Sequence, residues 1–274
     1  MARSFAGVPS VHARRSQHVL IGGVLLTAAA ASWIELIRGA GMDPGVDAGL
    51  FVGMWLAMVG AMMLPTIEPM VVAHFALTRP LPGAVRAART AAFVVPYLLL
   101  WSSAGVLALA LRTVALDRSV VGAALIAAAG LYQLGALKEA CLRSCRSPLS
   151  FFLRYGESAG SWAGTLRLGL RHAALCFGCC VGLMVALVGA GAIELTWMAA
   201  LGLLMLLEKV HPYGQQLSRA AGVALLALAP ATLVVPMTGS GAQLSGLVAL
   251  GVLALVALAS VLRARIGLLS PTEP

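Results

Sequence analysis

All five cysteines of the chain fall in two clusters, Cys141-Leu-Arg-Ser-Cys145 and Cys176-Phe-Gly-Cys179-Cys180. Thiolates are soft ligands suited to Cu(I), zinc or iron–sulfur chemistry. The spacing adds geometry. Residues four apart on a helix share a face, with Cβ atoms about 5–6 Å apart, and both Cys141/Cys145 and Cys176/Cys180 meet that condition. His172, Cys176, Cys180 and Met184 continue one such stripe. A single buried cysteine is best read as a small hydrophobe, but five confined to two short clusters predict coordination or redox chemistry. Neither cluster has zinc-ribbon or ferredoxin spacing, so the pattern names no metal.

A second soft-ligand signal precedes them. Six of the 11 methionines lie between Met42 and Met70, and Met54, Met58 and Met62 share one helix face. Thioethers favour Cu(I), although methionine is also an ordinary core filler. Glu208-Lys209, followed by His211-Pro212, has two readings. One is an ion pair that stops a helix at a boundary. The other makes Glu208 a ligand, or the residue that orients one, with Lys209 compensating thiolate charge.

The elements that position these residues are apolar helices. Hydrophobic residues make up 60% of the 274, and charged residues only 11%, against about 25% charged in a soluble domain. A membrane span needs about 20 mostly apolar residues. Eight segments qualify or nearly do: Val19–Ile37, Gly49–Ile67, Ala91–Leu111, Val120–Leu137, Ala173–Ala192, Leu195–Val210, Ala220–Pro236 and Leu244–Leu262. The expected fold is therefore an all-α polytopic bundle of about eight transmembrane helices. Residues 1–18 and 263–274 are tails, and 19–262 form a single transmembrane domain. The first apolar run follows Arg14-Arg15 as a signal peptide would, but it continues through Trp33 and Ile34, so an uncleaved helix is simpler.

The net charge of +9 raises the question of nucleic acid, and its distribution answers it. Arg3, Arg14 and Arg15 precede span one, and Arg79, Arg86 and Arg89 lie between spans two and three. The segment between spans four and five holds Lys138, Arg143, Arg146, Arg154, Arg167 and Arg171. Lys209, Arg219, Arg263 and Arg265 complete 16 of 19 basic residues on one side, leaving Arg38, Arg112 and Arg118 on the other. The positive-inside rule makes the rich side cytoplasmic, with both termini inside and no role in nucleic-acid binding. Both cysteine clusters then lie at the cytoplasmic face, across a long Lys138–His172 loop. The reducing cytosol favours metal binding or reactivity there over stable disulfides. Along the helix axes, Met62 sits about 7 Å from Ile67 and Cys180 about 12 Å from His172, so the two stripes reach similar depths. The bilayer middle holds few polar residues beyond Tyr132 and Gln133, which argues against a proton-coupled pump.

Trp55-x-x-Met58 with Ala61-Met62-Met63-Leu64-Pro65 is followed by Tyr132-Gln133 and Leu137-Lys138-x-x-Cys141-Leu142-x-x-Cys145-Arg146-Ser147-Pro148-Leu149. Together with Cys176-x-Gly178-Cys179-Cys180 and Glu208-Lys209 before Pro212, this resembles the bacterial domain-of-unknown-function 2182 family, described as predicted metal-binding integral membrane proteins. The likeness covers about residues 45–215. It implies a polytopic membrane protein with a cysteine-based metal site and leaves the activity open. Val181 stands where the family pattern has an aromatic, and Ile193-Glu194 where it has Met-Asn.

The sequence thus predicts a multi-pass protein of the bacterial inner membrane that binds a soft metal for handling, buffering or passage. Copper is favoured because thiols coincide with methionines; zinc is the alternative. The expected ligands are Cys141, Cys145, Cys176, Cys179, Cys180, Met58, Met62 and Glu208, and no catalytic residue is assigned. Expected partners are the lipid bilayer, the metal ion, and a membrane protein or second copy of the chain. A membrane thiol oxidoreductase using the same cysteines, or a non-catalytic assembly subunit, are the rival classes. The orientation is testable: reporters fused to either terminus should be active only in the cytoplasm, and a cysteine placed at Ser161 should resist external labelling. Terminal reporters active only outside would contradict it.

Overall fold

The computed structural model describes residues 11–39, 47–112, 118–156, 160–189 and 195–233. The eighth expected span, the end of the seventh and the C-terminal tail lie outside these residues. Among the described residues the chain is helical, with no strand. The elements are α1 (Val11–Gly39), α2 (Ala48–Leu77), α3 (Gly83–Arg112), α4 (Arg118–Gln133), α5 (Ala136–Cys145), α6 (Pro148–Tyr155), α7 (Trp162–Gly189), α8 (Leu195–Val210) and α9 (Gly214–Ala231).

Among the described residues, four helical segments are long and apolar enough to cross a membrane: Val19–Gly39, Ala48–Leu77, Gly83–Ala110 and Trp162–Gly189. The pair Val120–Gln133 and Ala136–Cys145, bent by 64°, makes a fifth if it is one broken span. The outer helices turn apolar side chains outward, including Val19, Leu20, Leu99, Val106 and Leu107. α2 and α7 form the interior, and α7 packs against α3, α4, α5 and α8. α1 lies on α2, and α9 on α4 and α8.

Two local features differ from the sequence expectation, and both concern the site. The segment from Lys138 to His172 is not an open loop: it contains most of α5, all of α6 and the first turns of α7. α7 starts at Trp162, so His172 lies well inside a helix. Second, the fourth span breaks after Gln133. Leu134 and Gly135 turn the chain, their N–H groups donating to the carbonyls of Leu131 and Tyr132, and α5 sets off at a new angle. Ser147 then caps α6, whose first residue is Pro148, a residue that fits the first helical turn because its missing N–H is not needed there.

Glycines let α7 approach its neighbours. A Cβ on Gly169 would meet the backbone of Phe93 in α3, with Cα only 3.2 Å away. Gly189 faces Gly122 of α4, and Gly178 and Gly182 form a groove filled by Cys141 and Tyr132. In an apolar solvent, packing of this kind replaces the hydrophobic drive between helices. A Gly169→Val variant should therefore separate α3 from α7 and lower stability by about 1–3 kcal/mol or more. Thermal unfolding in detergent would measure this, and an unchanged midpoint would contradict the close approach.

Candidate metal centre

The thiols converge on the buried face of α7. Cys176, Cys179 and Cys180 are fully buried, and their sulfurs lie within 4.8 Å of one another. Cys179 and Cys180 are 3.4 Å apart. α5 brings a fourth sulfur: Cys145 Sγ lies 3.7 Å from Cys179 Sγ. Two sulfurs bound to one ion at about 2.3 Å each are at most about 4.6 Å apart, so these separations suit a shared ion with little movement. All five cysteines are free thiols.

Cys141 goes elsewhere. Its sulfur sits against Gly178, where a Cβ would come within 2.6 Å of it. It fills the groove on α7 beside Tyr132, whose hydroxyl donates to the Gly178 carbonyl.

Glu208 is buried, and both its carboxylate oxygens are occupied. Lys138 Nζ donates to Oε2 at 2.6 Å and Gln133 Nε2 to Oε1 at 3.0 Å. Lys138 also donates to the Cys179 carbonyl. The sequence places Lys138 at the start of a cytoplasmic loop; in the structure its side chain is 1% exposed, as is that of Glu208. The pair persists in the interior because each charge has an opposite charge and further hydrogen bonds to replace water. Glu208 is thus tied through Lys138 to the backbone of α7, with both its oxygens engaged. Arg146 closes the end of α8, donating to the carbonyls of Glu208 at 2.7 Å and Pro212 at 3.1 Å.

Lys209, which the sequence offers either as part of a helix-stopping ion pair or as compensation for thiolate charge, turns inward, with Nζ 3.2 Å from Cys176 Sγ, where a cation favours thiolate over thiol. Cys176 also lies 3.6 Å from the Tyr97 hydroxyl. Met58 and Met62 are buried on α2. Met62 packs over Gly202 of α8, two turns before Lys209. Lys138 and Tyr97 are the residues that sequence reasoning missed. The break after Gln133 resets the helical phase, so no regular spacing links Lys138 to Gln133 or Glu208. Tyr97 lies on α3, which carries no soft ligand of the expected set.

The fold and site together define an all-helical protein with a buried, thiol-rich centre fitted to a soft metal. A family model described as PpoB2, copper chaperone, matches residues 52–232, about two-thirds of the chain, and the chain belongs to that copper-chaperone family. The match contains all eight residues expected as ligands. No curated protein and no solved structure matches the chain.

The Lys138–Glu208 pair yields a prediction. Lys138→Met alone strands a buried carboxylate and should cost about 3–5 kcal/mol, whereas adding Glu208→Leu should recover most of that loss. Unfolding midpoints of the single and double variants measure the coupling, and additive effects would show that the two side chains do not act as a pair.

Proposed function

We propose that this chain is a multi-pass membrane copper chaperone that holds Cu(I) as cargo on Cys176, Cys179, Cys180 and Cys145, then passes it to a protein partner. The observation that carries this is the arrival of a sulfur from α5 at a buried three-thiol group on α7. Copper-chaperone membership supports the choice of metal. The resemblance to the domain-of-unknown-function 2182 family belongs to the same reading, as do eight spans, an inner-membrane location and a cytoplasm-facing site. Long apolar helices and the one-sided distribution of basic residues support that placement.

Three or four adjacent sulfurs match the preference of Cu(I) for soft ligands. Cargo must also leave. Thiolate sites exchange metal by sharing it with an incoming thiolate or thioether, and here Lys209 stands ready to compensate the charge of Cys176 as copper departs. Met58 and Met62 offer weaker thioether ligands on α2, a neighbour of α8. Cys141 and Glu208 have supporting roles in this scheme, one filling the Gly178 groove and the other anchoring Lys138.

Competition titration with a chromophoric Cu(I) chelator tests the assignment. Cys145→Ser should weaken Cu(I) binding at least tenfold, and Cys141→Ser should change it by less than threefold. Met58→Leu with Met62→Leu should lower affinity modestly with little loss of fold, because the side chains are similar in volume. A Cys145→Ser variant that bound Cu(I) as tightly as the wild type would remove Cys145 from the ligand set. A protein that preferred zinc in the same titration would overturn the choice of copper.

A further inference from the structure

The imidazole of His172 is buried in the bundle, 2% exposed, and neither ring nitrogen has a hydrogen-bond partner. A buried polar group left this way is costly unless something satisfies it. Its orientation is set by rings instead. Tyr97 stacks on it at a centroid distance of 5.9 Å, with 11° between the planes. Phe93 stacks at 5.7 Å and 18°, and Phe151 meets it edge-on at 5.8 Å and 73°. Rings that hold an imidazole by its faces leave both nitrogens free for a ligand.

The position of that ring relative to the thiols is the second observation. His172 and Cys176 are one turn apart on the same face of α7, where Cβ atoms lie about 5–6 Å apart. Both side chains lean toward the N-terminus of α7, so they lie one above the other on that face. Tyr97 touches both residues: its ring lies on the imidazole and its hydroxyl lies 3.6 Å from the Cys176 sulfur. Imidazole and thiol therefore share one wall of the centre. Imidazole is an established copper ligand type.

We propose that His172 is a nitrogen ligand for the Cu(I) cargo, sharing the ion with Cys176 at the edge of the thiol group. This deepens the copper-chaperone reading and rests on it.

X-ray absorption of the full chain, purified anaerobically in detergent and loaded with one equivalent of Cu(I), tests the proposal. The expected wild-type spectrum has a nitrogen shell at about 2.0–2.1 Å beside sulfur at about 2.3 Å, with the outer-ring scattering that distinguishes imidazole from an amine. His172→Phe keeps the ring stack and should lose that nitrogen shell, retain its copper stoichiometry and bind Cu(I) about tenfold more weakly. His74→Phe alters the same stack from the far side of Phe93, where His74 and Phe93 are 4.7 Å apart, and should keep the nitrogen shell. A sulfur-only wild-type spectrum would overturn the proposal while leaving the chaperone reading intact. So would an imidazole signal that survives in His172→Phe, or one lost equally from both variants. Wild-type protein that takes up no Cu(I) would instead sink the chaperone reading, and this proposal with it.

Discussion

A single buried ion pair, Lys138 with Glu208, decides where the thiols can be. Charges in an apolar interior are tolerated only when paired and fully hydrogen-bonded. Lys138 meets that requirement by reaching Glu208 on α8 and the Cys179 carbonyl on α7, while Gln133 at the end of α4 completes the carboxylate. Four helices are thereby fixed to one point. α5 is the shortest of them and the one displaced by the break in the fourth span, and it carries Cys145. The pair is the charged tie that holds α5 against α7 and so brings the fourth sulfur beside the other three.

The rest of the architecture serves the same close approach. α7 presents Gly169 to α3, Gly178 and Gly182 to α4 and α5, and Gly189 to α4. Three of its remaining inward positions carry cysteines. Cys176, Cys179 and Cys180 thus occupy the face left when the glycine notches are taken by neighbours. The aromatic residues of α3 complete the wall, with Tyr97 linking Cys176 to the carbonyl of Met63. Trp55 anchors α2 to α3 by donating to the Trp101 carbonyl.

Much of this was legible in the sequence, for identifiable reasons. Composition and apolar runs gave the all-helical class, because a lipid-facing helix must be apolar over its length. The i, i+4 stripe of His172, Cys176, Cys180 and Met184 was readable because α7 is one uninterrupted helix, and all four are buried. What the sequence hid lies at a discontinuity. Treating Lys138 as a loop charge followed from counting basic residues between apolar runs, a method that sees length and hydropathy but not a 64° bend. Once the chain turns at Leu134 and Gly135, Lys138 points inward and Cys141 and Cys145 part company, one into the Gly178 groove and the other to the thiols. Glu208 stands out in the sequence as a carboxylate at the end of an apolar run, yet its partner is a residue 70 positions away, a pairing that periodicity does not encode.

Among the described residues, the thiols of α7 are the one group of three or more potential metal-binding side chains. Membership of the copper-chaperone family and a buried group of soft sulfurs point to the same cargo. In the proposed function the apolar surround would shield Cu(I) from water and oxidants, and Lys209 beside Cys176 would offset charge on its release. The most direct test is metal analysis of protein purified anaerobically in detergent. The account predicts about one copper per chain in the wild type, little zinc, and loss of that copper when Cys176, Cys179 and Cys180 are all changed to serine. Copper retained at the same stoichiometry by the folded triple variant would contradict it.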